Sequence, residues 1–254
     1  MTIFYFTATG NSLSVAKAIG GNLISIPQLI DQSDPFFEDD VIGLVFPIYG
    51  FGPPEMVRRF MEKVRWSAKY AFAIGTYGNL PGAAMRTIQS IAKRRGIPFD
   101  YCASIVMLDN YLPNFDITKQ IASLPKKRVG DRITALRADI AARKSRPPHH
   151  ALGWRTISAT LQLIRPLAFS PKSAQRFLVE PSCSGCGVCA KVCPAANIHP
   201  ANPIPHFGDQ CQWCFACLHA CPQNALYLKS QRSTARWRNP HTSLQELIRS
   251  NHRG

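Results

Sequence analysis

Eight of the nine cysteines in this 254-residue chain repeat one spacing. The first run is Cys183, Cys186, Cys189 and Cys193, then Pro194. The second is Cys211, Cys214, Cys217 and Cys221, then Pro222. Both read C-x2-C-x2-C-x3-C-P, offset by 28 residues, and the match continues past each proline as Ala196-Asn197-Ile198 against Asn224-Ala225-Leu226. Thiolates at such spacing are soft ligands for zinc or for iron–sulfur clusters. Structural zinc takes four ligands per site, usually as two C-x2-C pairs, and leaves the third cysteine of each triplet unexplained. Disulfides suit an oxidising compartment. A four-iron cubane suits the run better, because three closely spaced thiolates can wrap three of its corners from one loop.

The duplicated run resembles that of the bacterial two-cluster ferredoxins, in which the fourth cysteine of each run serves the other cluster. The resemblance implies two 4Fe–4S clusters. One takes Cys183, Cys186, Cys189 and Cys221, and the other takes Cys211, Cys214, Cys217 and Cys193. Trp213 and Phe215 would bury the second. His219, between Cys217 and Cys221, either donates to a sulfide or faces solvent. The ninth cysteine, Cys102, lies in an apolar run and reads as a small buried hydrophobe.

A second chemistry sits near the N-terminus. An apolar run ends in Thr7-Ala8-Thr9-Gly10-Asn11-Ser12, after which a helical pattern begins. A strand–turn–helix corner offers free backbone N–H groups and the positive end of a helix dipole to an anion. Three hydroxyls and no Lys or Arg suit a phosphate monoester. The P-loop and G-x-G-x-x-G signatures are absent from this corner.

The elements that position these groups follow from periodicity. Ile3–Phe6, Leu23–Ile26, Val41–Phe46, Tyr70–Gly75 and Tyr101–Met107 are continuous apolar runs, as expected of parallel strands buried on both faces. Helical spacing over Ser12–Gly20, Glu55–Val64 and Ala83–Arg95 separates several of them. The alternation predicts an open, doubly wound α/β sheet. The first loop is similar to the phosphate loop of the flavodoxin family, which binds FMN outside strands one and three of a five-stranded parallel sheet ordered 2-1-3-4-5. That resemblance implies two further FMN loops. They are Pro47, Ile48, Tyr49, Gly50, Phe51 and Gly52 after the third strand, and Thr76, Tyr77, Gly78 and Asn79 after the fourth. Asp109, Asn110 and Tyr111, after the fifth, either close on the same pocket or form a plain turn.

Past Tyr111, the helical spacing of Ile117, Ile121 and Leu124 gives way at Pro125, which suits the first position of a new helix reaching about Lys144. Arg146-Pro147-Pro148 and His149-His150 read as a linker. Residues 151–180 read as one more basic helix and a connector, interrupted at Pro166 and Pro171. The expected organisation is a flavodoxin-like FMN domain over 1–145, a basic helical linker over 146–180, an α+β two-cluster ferredoxin unit over 181–230 and a basic tail over 231–254. The whole resembles flavodoxin–ferredoxin fusion proteins of anaerobes.

Composition bounds the function. The chain is 46% apolar and only 18% charged, with 30 Lys and Arg against 15 Asp and Glu. Residues 117–180 carry thirteen basic and three acidic side chains, and residues 229–254 carry six and one. Those two segments are either plain solvated helix faces or candidate docking surfaces, for an acidic redox partner protein or for anionic lipid. Nucleic acid is disfavoured, since the basic residues are scattered and no helix-turn-helix, zinc-finger or RNA-motif signature accompanies them. Met1 runs straight into Thr2-Ile3-Phe4-Tyr5-Phe6 without a basic n-region, and the uncharged stretch Gln210–Leu228 holds four cysteines. A cytoplasmic protein without a membrane span is therefore expected. The function expected is electron transfer between the clusters and FMN, coupling one-electron and two-electron steps. The alternatives are an FMN-dependent reductase of a small molecule, fed by the clusters, and a zinc-binding nucleic-acid or structural module.

Overall fold

Each of the five apolar runs forms a strand whose two faces are both covered. In a computed structural model that describes residues 1–148, 170–201 and 204–253, they are β1 (Thr2–Tyr5), β2 (Asn22–Ser25), β4 (Val41–Pro47), β6 (Tyr70–Tyr77) and β7 (Tyr101–Val106). All pairings are parallel, in the order β2-β1-β4-β6-β7. This is the flavodoxin-like 2-1-3-4-5 order of the five main strands. Alternate residues explain the unbroken hydrophobicity. Ile3, Val45, Phe72, Ile74 and Ile105 pack on α1 (Asn11–Ile19) and α6 (Val129–Ala141). Phe4, Leu44, Phe46 and Ala73 pack on the other side, against α2 (Ile26–Leu29), α3 (Glu55–Lys63) and α4 (Ala84–Arg94). Among these, Cys102 is buried, and burial pushes its thiol up to about 12. It is the small core residue expected.

Two strands were not foreseen. β3 (Phe36–Glu38) and β5 (Arg65–Ser67) pair in parallel outside the main sheet. Their inward residues Phe37 and Trp66 cover Phe4 at ring separations of 4.7 and 6.2 Å. Three-residue runs of mixed polarity carry no periodic signal.

After β7 the expected helices are displaced. α5 (Ile117–Ser123) is followed by a 3-10 turn, Leu124–Lys127, that contains Pro125. The next helix begins only at Val129, after Arg128 adopts φ 48°. It ends at Ala141 rather than near Lys144. Arg146 is not linker backbone. Its carbonyl accepts the Cys102 N–H at 2.8 Å and its N–H donates to the Asp100 carbonyl at 2.9 Å, extending the sheet edge. The linker expectations for His149, His150 and 151–169, Pro166 included, lie outside the described residues.

The cysteine-rich region is built from two short antiparallel ribbons, Leu178–Val179 with Leu226–Tyr227 and Ile198–His199 with His206–Phe207, and two short helices, Val188–Lys191 and Ala216–Ala220. It is an α+β two-cluster ferredoxin arrangement. Its core shares residues with the sheet domain. Leu108, Leu112 and Ile117 pack among Phe177, Trp213, Phe215 and Leu218.

The basic C-terminal segment is a strap rather than a free tail. Trp237 is buried, the Asn239 N–H donates to the Thr9 carbonyl at 2.8 Å, and the helix Leu244–Asn251 lies on the sheet domain. Tyr5 donates to Ser250 Oγ at 2.8 Å, because the Ser250 hydroxyl spends its own proton on the Glu246 carbonyl at 2.7 Å. Arg253 pairs with Asp31. Among the described residues, no helix is long and apolar enough to cross a membrane.

Glu246 anchors the strap. It closes a capping box with Ser243 and meets Lys17 Nζ at 2.6 Å, which holds its carboxyl down to about 2. Both side chains are over a third or about a third exposed (39% and 34%), so screening limits the pair. We expect Glu246→Gln to lower stability by about 0.5–1 kcal/mol at pH 7 in urea unfolding. A depressed carboxylate stabilises the fold above its ordinary pKa. The gap between parent and variant should therefore close as pH falls from about 4.5 towards 2.

Candidate functional site

The strand ends of the sheet and the second cysteine run enclose one cavity of about 370 Å3. Its lining takes residues 7–9, 11 and 12 from the loop after β1, 47–51 from the loop after β4, 76–79 from the end of β6 and its loop, and 109–111 from the loop after β7. All three members of the Asp109-Asn110-Tyr111 turn thus reach the pocket. Two residues expected there do not line it. Gly10 (φ 97°) turns its Cα towards the strap, where an added Cβ would stand 2.8 Å from Thr242 Cβ. Gly52 folds back on Tyr49 through two backbone hydrogen bonds of 2.9 and 3.1 Å. Leu80, Leu108, Asn114 and Phe115 also line the cavity, as does Cys214, with Trp213 and Phe215 beside it.

The first loop is prepared for an anion. Thr7 Oγ1 accepts the Gly10 N–H at 3.2 Å, and Thr9 Oγ1 accepts from Asn110 Nδ2 at 2.8 Å, so both keep an O–H to donate. Ser12 and Thr76 hydroxyls meet at 2.8 Å. The first turn of α1 holds no acidic residue, and its leading N–H groups have no intrahelical partner. Among the described residues, no Lys or Arg lines the cavity. The donor set fits a phosphate monoester, and the aromatic walls from Tyr49, Phe51 and Tyr77 fit a flat ring.

A cation shapes the pocket from behind. Lys127 Nζ donates to the carbonyls of Met107 (2.6 Å) and Gly78 (3.1 Å), tying two of the loops together. Desolvation lowers its pKa. Asp109 lies beside Gly78, where a Cβ would come within 2.2 Å of Asp109 Cβ, so only glycine fits. Burial raises the Asp109 carboxyl, outweighing the Tyr111 N–H at 3.1 Å and the nearby Lys127.

The cysteines gather round two hollows. Cys183, Cys186, Cys189 and Cys221 surround one, and Cys193, Cys211, Cys214 and Cys217 surround the other. The fourth cysteine of each run therefore sits with the triplet of the other. Among the described residues, no three His, Cys, Asp or Glu side chains converge as for a single metal ion. Burial pushes the Cys189 and Cys211 thiols up to about 11 and raises Cys214 and Cys217 further. Such thiols ionise only beside a strong cation. Backbone donors already face two of the sulfurs, from Trp213 N–H to Cys211 Sγ and from Asn197 N–H to Cys193 Sγ, each at 3.3 Å. The two sets fit polynuclear iron–sulfur ligation.

His219 neither faces solvent nor donates to a sulfide. Its Nδ1 accepts the Trp237 N–H at 3.2 Å, which leaves Nε2–H to donate to the Asn110 carbonyl at 2.9 Å. Burial holds its pKa down to about 4, in the neutral form these bonds require. Asn110 passes the link on to Thr9, so the cysteine-rich region is hydrogen-bonded to the anion loop through one partly buried chain.

The repeat extends to backbone conformation. Gly185 (φ 66°) and Gly187 (φ 71°) of the first copy correspond to Trp213 (φ 53°) and Phe215 (φ 58°) of the second, at the same offset. Aromatic residues in the left-handed region carry strain of order 1 kcal/mol or more. Here they form the cavity wall and pack at 4.9 Å from each other, with Phe177 stacked on Trp213 at 5.3 Å. The residue swap between copies was visible in the sequence, but its place on the pocket wall was not.

Residues 177–226 match the 4Fe-4S dicluster domain family. No curated protein matches the chain. Among solved structures, a protein of Bacteroides uniformis described as a candidate flavoprotein is 18% identical at a TM-score of 0.33, covering 47% of this chain and 94% of that one. The Trp repressor binding protein of Bacillus subtilis is 13% identical at a TM-score of 0.29, covering 50% and 96%.

The left-handed backbone at Phe215 gives a measurable reversal. Both Phe215→Ala and Phe215→Gly lose the ring, at about 3–5 kcal/mol. Only alanine keeps the strained φ, so the glycine variant should be the more stable of the two by about 1 kcal/mol in urea unfolding. Alanine equal to or above glycine would contradict the strain.

Proposed function

We propose that this chain is an iron–sulfur flavoprotein that moves electrons between two 4Fe–4S clusters and one FMN. The observation that carries the reading is the position of Cys214. A member of the second cysteine set lies on the wall of the cavity that the three flavodoxin-type loops enclose.

FMN exchanges electrons singly or in pairs and a cubane passes one, so together they supply a junction between one-electron and two-electron traffic. The chain's own residues supply the rest. Thr7, Thr9, Ser12 and the first turn of α1 hold the phosphate. Tyr49, Phe51 and Tyr77 flank the ring. Trp213 and Phe215 close the side next to Cys214 and keep water away. The set Cys193, Cys211, Cys214 and Cys217 holds the cluster next to the flavin. The set Cys183, Cys186, Cys189 and Cys221 holds the outer one, with Cys186 exposed. A pocket walled by the cysteine-rich region itself favours internal electron transfer over reduction of a separate small molecule.

The exposed cations Lys119, Lys126, Arg128, Arg132 and Arg137 on and between α5 and α6 suit an acidic redox partner. Electron exchange with such a partner should slow as ionic strength rises; a salt-independent rate would remove this surface from the reading.

Protein purified without oxygen is expected to carry roughly eight irons, eight sulfides and one FMN. Cys214→Ala should lose one cluster and keep the flavin. Thr9→Ala with Ser12→Ala should weaken flavin binding and leave the iron content intact. Iron, sulfide and flavin analysis of the three proteins checks these outcomes. Colourless, iron-free protein would refute the reading.

A further inference from the structure

Few buried polar side-chain atoms among the described residues lack a hydrogen-bond partner, and the Tyr49 hydroxyl is one of them. The ring of Tyr49 is partly exposed and lines the cavity. Its hydroxyl oxygen is buried. The ring packs on the main core beside Phe6 and on a smaller apolar group that contains Ala8, Val192, Ala216 and Cys214. Cys214 is a charge-bearing member of that group, and desolvation keeps the phenol protonated. A buried hydroxyl without a partner is costly, so its retention calls for an acceptor.

The backbone fixes this placement. Tyr49 and Gly52 bond to each other in both directions, closing a tight turn. The Met56 N–H, just beyond, donates to Gln212 Oε1 at 3.0 Å. Gln212 lies between Cys211 and Cys214 in sequence, so the loop that carries Tyr49 is pinned to the loop that carries the sulfur.

Resting on the reading of the preceding subsection, we propose that the Tyr49 hydroxyl donates its hydrogen bond to the Cys214 sulfur once that sulfur is a thiolate ligand. One side chain then walls the flavin cavity with its ring and tunes the neighbouring cluster with its hydroxyl. A neutral thiol is a weak acceptor, whereas a thiolate is a strong one. The bond is worth more to the reduced cluster, which carries one more negative charge, so it raises that cluster's potential. Tyr49 lines neither hollow, but its packing partners include Cys214 of the inner set and, among the described residues, no cysteine of the outer set, Cys183, Cys186, Cys189 and Cys221. The hydroxyl therefore separates the potentials of two otherwise similar sites and favours electron residence beside the flavin. Tyr49 acts here as a positioning and tuning residue for the cluster.

The test is Tyr49→Phe in the full chain, prepared without oxygen beside the parent. Iron, sulfide and flavin are counted first, and both clusters are then titrated potentiometrically with detection by electron paramagnetic resonance. On protein that holds its iron and flavin, we expect a negative shift in the midpoint of one cluster and no shift in the other. Unchanged midpoints with full cofactor content would overturn the proposal, as would equal shifts of both clusters. If the phenylalanine variant fails to retain its iron, 3,5-difluorotyrosine at position 49 decides, because a more acidic phenol is a stronger donor. A positive shift of one cluster supports the bond, and no shift removes it. A parent protein without clusters or flavin fails the preceding reading instead, before Tyr49 is tested.

Discussion

The Asn110 carbonyl belongs to the sheet domain, and the N–H that meets it belongs to a histidine between two cysteines of the other half. His219 can serve this bond only as the neutral Nε2–H tautomer, because Nδ1 is already taken by the Trp237 N–H. Burial favours that state. From Asn110 the chain of bonds runs to Thr9, whose carbonyl also receives the Asn239 N–H of the strap. Three segments far apart in sequence are thus fixed at one point beneath the anion loop. The placement of Cys214 on the cavity wall depends on that fixation.

Apolar packing seals what these bonds align. Leu108, Leu112 and Ile117, from the segment after β7, complete a core made mostly by the cysteine-rich region. Ala8 joins Val192, Ala216, Ala220 and Leu247 in another. A seam made from both halves resists separation more than two domains tethered by a linker would, because parting them exposes apolar surface on each side.

The two cysteine runs are near-copies, yet they serve unequal places. The first copy keeps glycine at both left-handed positions and lies near solvent, with Cys186 exposed. The second accepts strained backbone at Trp213 and Phe215 and gains two rings on the pocket wall. Strain held where a ligand pocket is built is the pattern expected of a site maintained for function. Equal spacing of ligands does not imply equal environments, and the environment of each sulfur sets what a bound cluster would do.

Much of this was legible from residue types alone. Continuous apolar runs such as Val41–Pro47 and Tyr70–Tyr77 specify parallel strands, since a sheet covered on both faces tolerates no polar alternation. The duplicated cysteine spacing specifies two ligand loops because it is local in sequence. Three things were decided only in three dimensions. The short β3–β5 pair forms because Phe37 and Trp66 find Phe4, a contact with no periodic trace. The basic residues at 127 and 253 looked like docking charge, but Lys127 ties two pocket loops and Arg253 faces Asp31. His219 became a buried link because its partners come from residues 110 and 237. Sequence spacing fixes which groups can act within a loop or strand. Which groups meet across the molecule depends on long-range packing and desolvation, and these are properties of the folded chain.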